Sequence, residues 1–358
     1  MNIGLITGFW STNIGNAFFH LGADFILRHL ANESDRIIWL NNMPAYWRLF
    51  NKKNPAFGVR GIGEPSLDVL VMVGPFLRRA FPEIWKDELI RLQNSGTRIV
   101  MLGLGSMQHD LETKKLCREF FKDLRPQFIS TRDQATYDTL ADLGLNIERV
   151  ICPAFFINHA VKKPIGNVPD YLVVNCEKVV EPELKTKNSS ESTGNTLSVS
   201  INNVSFDIIY DTVPSNRYLE RFAELTLNLK YLFSRGGESS ISGIDIYRTV
   251  HRSNPFIFRE MFSRPNTMVS DVPHPYLLAY ANAKLIITDR VHTAVAGVAY
   301  GVPVIFVGRT KRQGLLSAAG INIEACGTLC VDQEVLEAEK LRLLNLVSIN
   351  VFGKNINS

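Results

Sequence analysis

Two α/β domains, each built on a parallel sheet covered by helices, are what this sequence predicts. Three observations carry that expectation. Short apolar runs alternate with helical apolar stripes through the first half and again near the end. Strands that alternate with helices imply a parallel sheet covered on both faces. The length, 358 residues, suits two domains at roughly 100–200 residues each. Third, residues 164–169, bounded by Pro164 and Pro169 around Gly166, read as a linker. The expected division is therefore 1–165, 166–335 and a C-terminal helix or tail at 336–358.

The elements follow in chain order. Residues 3–7 are a buried-strand run, and 16–30 carry Phe18, Leu21, Phe25 and Ile26 as a helical stripe. Strand-like runs recur at 36–40, 68–73, 98–102, 127–131 and 149–152. Helical candidates lie between them at 83–94, 111–124 and 135–143, the last closing on Gly144 as a left-handed cap. After the linker, 171–176 starts a new strand. Residues 185–195 (KTKNSSESTGN) hold no apolar side chain and read as an exposed loop. A helix is expected at 217–233, and 244–250 and 266–269 are weak strand patterns. The pattern then sharpens into a helix at 276–283, a strand at 285–288, a helix at 293–300 and a strand at 302–307.

Composition excludes several classes. Hydrophobic residues make up 46% and charged residues 21%, near the soluble globular average. A net charge of +4 spread along the chain does not call for nucleic acid. The N-terminus lacks a basic and then apolar leader, so no signal peptide is expected. The uncharged stretch from Thr293 is broken by Gly297, Gly301 and Pro303 and does not read as a span of about 20 apolar residues. The five cysteines (117, 152, 176, 326 and 330) form no disulfide framework or metal spacing, and a reducing, cytoplasmic setting is expected. No metal and no cofactor are expected.

Four places carry chemistry. The turn holding Asn13, Gly15 and Asn16 runs from a strand into a helix; either asparagine can cap that helix or bond a ligand. Strand-end turns follow at Gly74 and at Gly103-Leu104-Gly105. The second lacks the third glycine of a dinucleotide fingerprint, since Gln108 stands there, and an exposed loop is the plainer description of the neighbouring His109. Arg132 ends another strand and presents a fork of donors, either to an anion or to its neighbour Asp133. The fourth is Asp289-Arg290-Val291-His292, where a buried strand turns into an almost wholly apolar helix. A cation and an imidazole at the positive end of a buried helix favour an anion. Lys311 follows the next strand. Ligands of open α/β sheets bind beyond the carboxyl ends of strands, where all of these lie.

In order and spacing these motifs resemble the polysaccharide pyruvyl transferase family. The matches are Asn13-Ile14-Gly15, the Gly74 turn, Gly103-Leu104-Gly105, Ser130-Thr131-Arg132-Asp133, Pro153-Ala154-Phe155, Asp289-Arg290-Val291-His292, Gly301-Val302-Pro303 and Lys311. Asn16 and Cys152 stand where many members carry Asp. The resemblance implies a GT-B-like pair of Rossmann-like domains facing a cleft, with the acceptor on the N-terminal side and the donor on the C-terminal side. It implies transfer of pyruvate from phosphoenolpyruvate to a glycan as a ketal, with His292 and Arg290 as catalytic residues. Asn13, Gly15, Gly74, Gly105, Arg132, Arg290, Val291, His292 and Lys311 would bind substrate. A glycan acceptor, sometimes lipid-linked and reached by peripheral membrane contact, would be the partner. The same cations would also suit a nucleotide-sugar glycosyltransferase or a non-catalytic glycan- or anion-binding protein on the same fold.

Overall fold

The computed structural model describes residues 1–8, 10, 13–41, 66–106, 110–165, 168–177, 179–186, 195–201, 204–210, 237–251, 264–307, 314–323 and 327–355. The first half runs β1 (Asn2–Thr7), α1 (Gly15–Leu30), β2 (Arg36–Asn41), β3 (Val69–Val73), α2 (Ala80–Asn94), β4 (Arg98–Leu104), α3 (Leu111–Leu124), β5 (Phe128–Thr131), α4 (Gln134–Leu140) and β6 (Ile147–Arg149). The sheet is parallel throughout, in the order β2-β1-β3-β4-β5-β6. Strand parity divides its two faces. Val69, Val71 and Val73 pack toward α1, whereas Leu70 and Met72 pack toward α2 and α3. Because the chain leaves β1 for β2 on one side and β3 on the other, a crevice opens at the carboxyl end of β1.

Residues 150–152 are buried but not paired as a strand, so the expected strand at 149–152 moves to Ile147–Arg149. A 3-10 turn (Pro153–Phe156) and α5 (Ile157–Ala160) follow. The second half contains β7 (Tyr171–Asn175), β8 (Glu183–Thr186), β9 (Asn195–Ile201), β10 (Val204–Tyr210), β11 (Ser240–Ile241), β12 (Ile244–Thr249) and β13 (Thr267–Met268). It continues with α6 (His274–Asn282), β14 (Leu285–Thr288), α7 (Val291–Ala299), β15 (Val304–Phe306), α8 (Gly314–Ser317), β16 (Ile321–Ile323), β17 (Leu329–Val331) and α9 (Gln333–Val347). Its main sheet has the order β11-β12-β7-β14-β15, with only β11 antiparallel in that row, and β13 pairs β12.

Helices α6 and α7 cover one face of this sheet. The other face is covered by an antiparallel sheet, β8-β10-β9, whose Phe206 and Ile208 pack on Leu172, Val174 and Ile287. That sheet corrects the expected loop at its ends: Lys185 and Thr186 belong to β8, and Asn195 opens β9. The rest of that loop, and the helix expected at 217–233, lie outside the described residues.

Helix α9 begins at Gln333, capped by Asp332, which accepts from the Val335 N–H at 3.1 Å. It returns to the first half, where Arg342 pairs with Glu148 and Asn146 bonds Asn350 at 2.9 Å. One apolar core therefore runs from β1 through α1, the Pro153–Phe156 turn, α6 and α7 to β15 and α9.

Gly22 sets how closely α1 approaches that turn. A Cβ there would lie 2.7 Å from the Pro153 carbonyl carbon and nearer still to its oxygen. Alanine favours a helix over glycine by about 1 kcal/mol, yet forcing backbone apart in a packed core costs about 1–3 kcal/mol, occasionally more. The second effect wins. Gly22→Ala is expected to lower stability by about 2 kcal/mol in denaturant unfolding, and an unchanged midpoint overturns the close-approach argument.

Candidate active site

Strand β14 ends at Thr288, and the turn that follows is built from its own polar atoms. Thr288 Oγ1 accepts from the Arg290 N–H at 2.9 Å. Asp289 Oδ2 accepts from the Glu177 and Val179 N–H groups, each at 2.9 Å, which pins the loop after β7 to this turn. Helix α7 then starts, with every residue from Val291 to Ala299 buried. It can lie that deep because its side chains are small: a Cβ on Gly297 would meet Val304 at 2.5 Å.

Arg290, 7% exposed, reaches both halves of the protein. Its Nη2 donates to Asn13 Oδ1 at 3.3 Å, and its Nε lies 3.8 Å from Glu177 Oε1. Asn13 belongs to the turn between β1 and α1. Neither Asn13 nor Asn16 caps α1, contrary to the expectation: the N-cap is Ile14, which has no side-chain cap bond. Asn13 instead spends its oxygen on Arg290 and donates from Nδ2 to Asn16 at 3.4 Å.

The seam closes at Gly15. A Cβ there would lie 2.9 Å from His292 Nδ1 and 3.2 Å from His251 Nδ1, so only glycine lets the two imidazoles approach. The Ile14 N–H donates to the His251 carbonyl at 2.9 Å. The N-termini of α1 and α7 thus meet across the halves, with a guanidinium and an imidazole between them. Two positive dipole ends with a cation can hold a multiply charged anion.

Sequence reasoning missed His251 and Glu177. Both follow strands of the second sheet at their carboxyl ends, and that position was the available signal. The His251 N–H donates to Glu177 Oε1 at 2.7 Å, and its Nε2 lies 2.7 Å from the Tyr280 hydroxyl. Burial pushes the His251 pKa down to about 3 and that of His20 also to about 3. Both imidazoles are therefore neutral when folded. Unfolded histidine takes a proton below its ordinary value near 6.5, so stability is complete above that pH and is lost as pH falls toward 3. The expected result is a melting temperature that drops steadily over that window. His251→Asn is expected to flatten the drop, and an unaltered acid slope overturns the assignment.

Arg132 forms a second cluster farther along the same edge of the first sheet. It is 1% exposed, and its Nη1 is buried without a hydrogen-bond partner. Asp133 does not pair with it but caps α4 by accepting from the Thr136 N–H at 2.8 Å. Arg132's positive charge acts on the Cys152 thiol, and Gly105 lies against its side chain, where a Cβ would be 2.9 Å from the guanidinium carbon. Burial holds the Cys152 thiol above its ordinary pKa, so it stays protonated. Among the described residues no carboxylate pairs with Arg132.

The structure thus brings Asn13, Gly15, Arg290, Val291 and His292 together. Gly74 joins them through Phe19: a Cβ on Gly74 would meet that ring at 2.5 Å, and the ring lies 5.4 Å from His292. Gly105 and Arg132 stand apart, at the ends of β4 and β5. The second half still reaches them, since a Cβ on Gly314 would lie 3.2 Å from Asp133 Cβ. Lys311 and His109 lie outside the described residues. Among the described residues, no three His, Cys, Asp or Glu side chains form a metal cluster, and no helix is long and apolar enough to cross a membrane.

Comparison with known proteins adds two findings. A family profile described as polysaccharide pyruvyl transferase matches residues 13–311. In sequence, no curated protein matches the chain. In structure, S. aureus MnaA, in a co-structure with UDP, is similar at a TM-score of 0.51 and 11% identity, over 97% of this chain and 90% of that one. The UDP-GlcNAc 2-epimerase of Methanocaldococcus jannaschii aligns at a TM-score of 0.47 and 15% identity, over 96% and 93%. The fold is α/β and GT-B-like, with a parallel sheet in the first half and a mainly parallel one in the second.

Proposed function

The chain belongs to the polysaccharide pyruvyl transferase family and is a transferase; from that premise we propose that it moves pyruvate from phosphoenolpyruvate to two hydroxyls of a glycan, forming a ketal. The observation that supports this most is the meeting of Arg290 with Asn13 and of His292 with Gly15. It joins two helix N-termini, a guanidinium and an imidazole at one seam. Phosphoenolpyruvate carries a carboxylate and a phosphate, and a clamp of fixed donors suits both.

The enol methylene C3 takes a proton, which leaves cationic character at C2. One sugar hydroxyl adds to C2 and gives up its proton. The bond from C2 to the phosphate oxygen breaks, and a second hydroxyl closes the ketal; its proton leaves with the phosphate. His292 is assigned the proton transfers and Arg290 the departing phosphate. Arg132, a buried cation with no carboxylate among the described residues, is assigned a further contact to the donor. Glu177 holds the Arg290 guanidinium from behind. Lys311 is assigned to the donor as well, while Gly74 and Gly105 line the acceptor side. No metal or cofactor takes part in this scheme. The donor is assigned mainly to the 166–335 side, with Arg132 reaching it from the 1–165 side, which also takes the acceptor; the reaction is cytoplasmic, with peripheral contact where the acceptor is lipid-linked.

Phosphate release from phosphoenolpyruvate, measured with a panel of glycans, tests the reading. Release that depends on a glycan supports it. UDP release from a UDP-sugar, without phosphate from phosphoenolpyruvate, overturns it in favour of a glycosyltransferase. Thermal stabilisation by glycan alone, with neither reaction, favours a binding protein.

A further inference from the structure

Resting on the reading of a glycan-modifying transferase, we propose that Trp10, Trp39 and Asp24 form an acceptor subsite, which stacks a sugar ring outside the reacting position. Trp39 is 41% exposed, yet its ring is not loose. Its Nε1–H donates to Asp24 Oδ1 at 2.6 Å, and Trp10 packs edge-on against it with centroids 5.6 Å apart. Trp10 is fixed in turn, since its Nε1–H donates to His20 Nδ1 at 2.9 Å. Both indole N–H groups are occupied by side chains rather than left to solvent. A ring held in this way loses little freedom when a ligand stacks on it.

The corner also connects to the candidate donor site. From His292 a row of rings passes through Phe19 at 5.4 Å, His20 at 4.6 Å, Trp10 at 6.2 Å and Trp39 at 5.6 Å. The Trp10 carbonyl accepts from the Asn13 N–H at 3.2 Å, and Asn13 holds Arg290. The exposed indole is thus the outer end of a packed row that begins at the imidazole assigned to proton transfer.

The chemistry fits a carbohydrate. A pyranose offers an apolar C–H face and an edge of hydroxyls. The Trp39 ring suits the face, because its flat apolar surface is large and partly open. At its edge Asp24 and Arg28 form an ion pair, with Arg28 Nε on Asp24 Oδ2 at 2.8 Å; Arg28 is 56% exposed on its side chain. That pair supplies an acceptor and donors for hydroxyls. A single sugar at the reacting position would not reach the corner, so the subsite favours oligosaccharide acceptors over monosaccharides.

The experiment uses the full chain and hexasaccharides of β-linked glucose, galactose and N-acetylglucosamine, followed by indole fluorescence and by saturation-transfer NMR. Wild-type protein is expected to bind at least one of them. Trp39→Ala is expected to weaken that binding about tenfold, and Asp24→Ala, which removes the acceptor of the Trp39 N–H and leaves the ring itself, about threefold. Leu341→Ala, exposed on α9, is the control and binds as wild type does. Melting curves establish that each variant is folded. Wild-type affinity in folded Trp39→Ala, or no binding of any hexasaccharide by the wild type, overturns the subsite. Thermal stabilisation by phosphoenolpyruvate is measured in parallel. Its absence in a protein that still shows Trp39-dependent binding removes the donor reading and leaves the subsite standing.

Discussion

Arg290→Lys lowers phosphate release from phosphoenolpyruvate by about 100-fold, the usual cost of one misplaced transition-state donor, while the protein still melts near the wild-type temperature. The guanidinium spans two partners that belong to different halves, Asn13 Oδ1 through Nη2 and Glu177 through Nε. A lysine keeps the charge, but one ammonium cannot hold both ends of that fork. Loss is therefore expected in kcat more than in protein yield. Glu177→Gln keeps the shape of the carboxylate and removes its charge, so a smaller loss is expected. Wild-type turnover by Arg290→Lys removes Arg290 from the donor clamp.

Arg132→Met should separate activity from stability. Among the described residues, the buried Arg132 guanidinium has no hydrogen-bond partner at Nη1 and no carboxylate paired with it, so its burial carries a desolvation cost. An apolar side chain of similar length removes that cost. The melting temperature is expected to hold or rise. Donor turnover is expected to fall by about 100-fold, because the cation assigned to phosphoenolpyruvate is gone. The opposite pattern, a large drop in melting temperature with turnover intact, assigns Arg132 to the scaffold.

Much of this architecture was legible residue by residue. Buried parallel strands are short continuous apolar runs, and β3, Val-Leu-Val-Met-Val with all five residues buried, could hardly read otherwise. Helix α3 lies at the expected bounds, 111–124, and the structure adds the Asp110 cap that starts it there. The antiparallel sheet was not legible. In β9 Ser198 and Ser200 alternate with Leu197, Val199 and Ile201, and in β10 Ser205 and Asp207 alternate with Phe206 and Ile208, which pack with Leu172 and Val174. Such half-buried strands carry a weak signal until their neighbour is known.

The candidate site divides in the same way. Composition and local pattern were enough to mark Gly15, Arg132, Arg290 and His292, because a charge at the end of an apolar strand or at the start of a buried helix is conspicuous in one dimension. What those groups do to one another depends on contacts distant in sequence. Asn13 and Arg290 are 277 residues apart, and nothing near either one says that the asparagine will hold the guanidinium instead of capping its own helix. Asp133 looked like a partner for Arg132, yet strand parity and the start of α4 turn it to the Thr136 N–H. His251 and Glu177 entered the site only when β7, β12 and β14 aligned their carboxyl ends. The sequence by itself determined which segments are strands or helices and which residues could carry charge to their ends, since both follow from short-range periodicity. The tertiary structure alone decided which charges are paired, which are left open and which rings line the path between them, because pairing is settled by the packing of two sheets around a shared layer of helices.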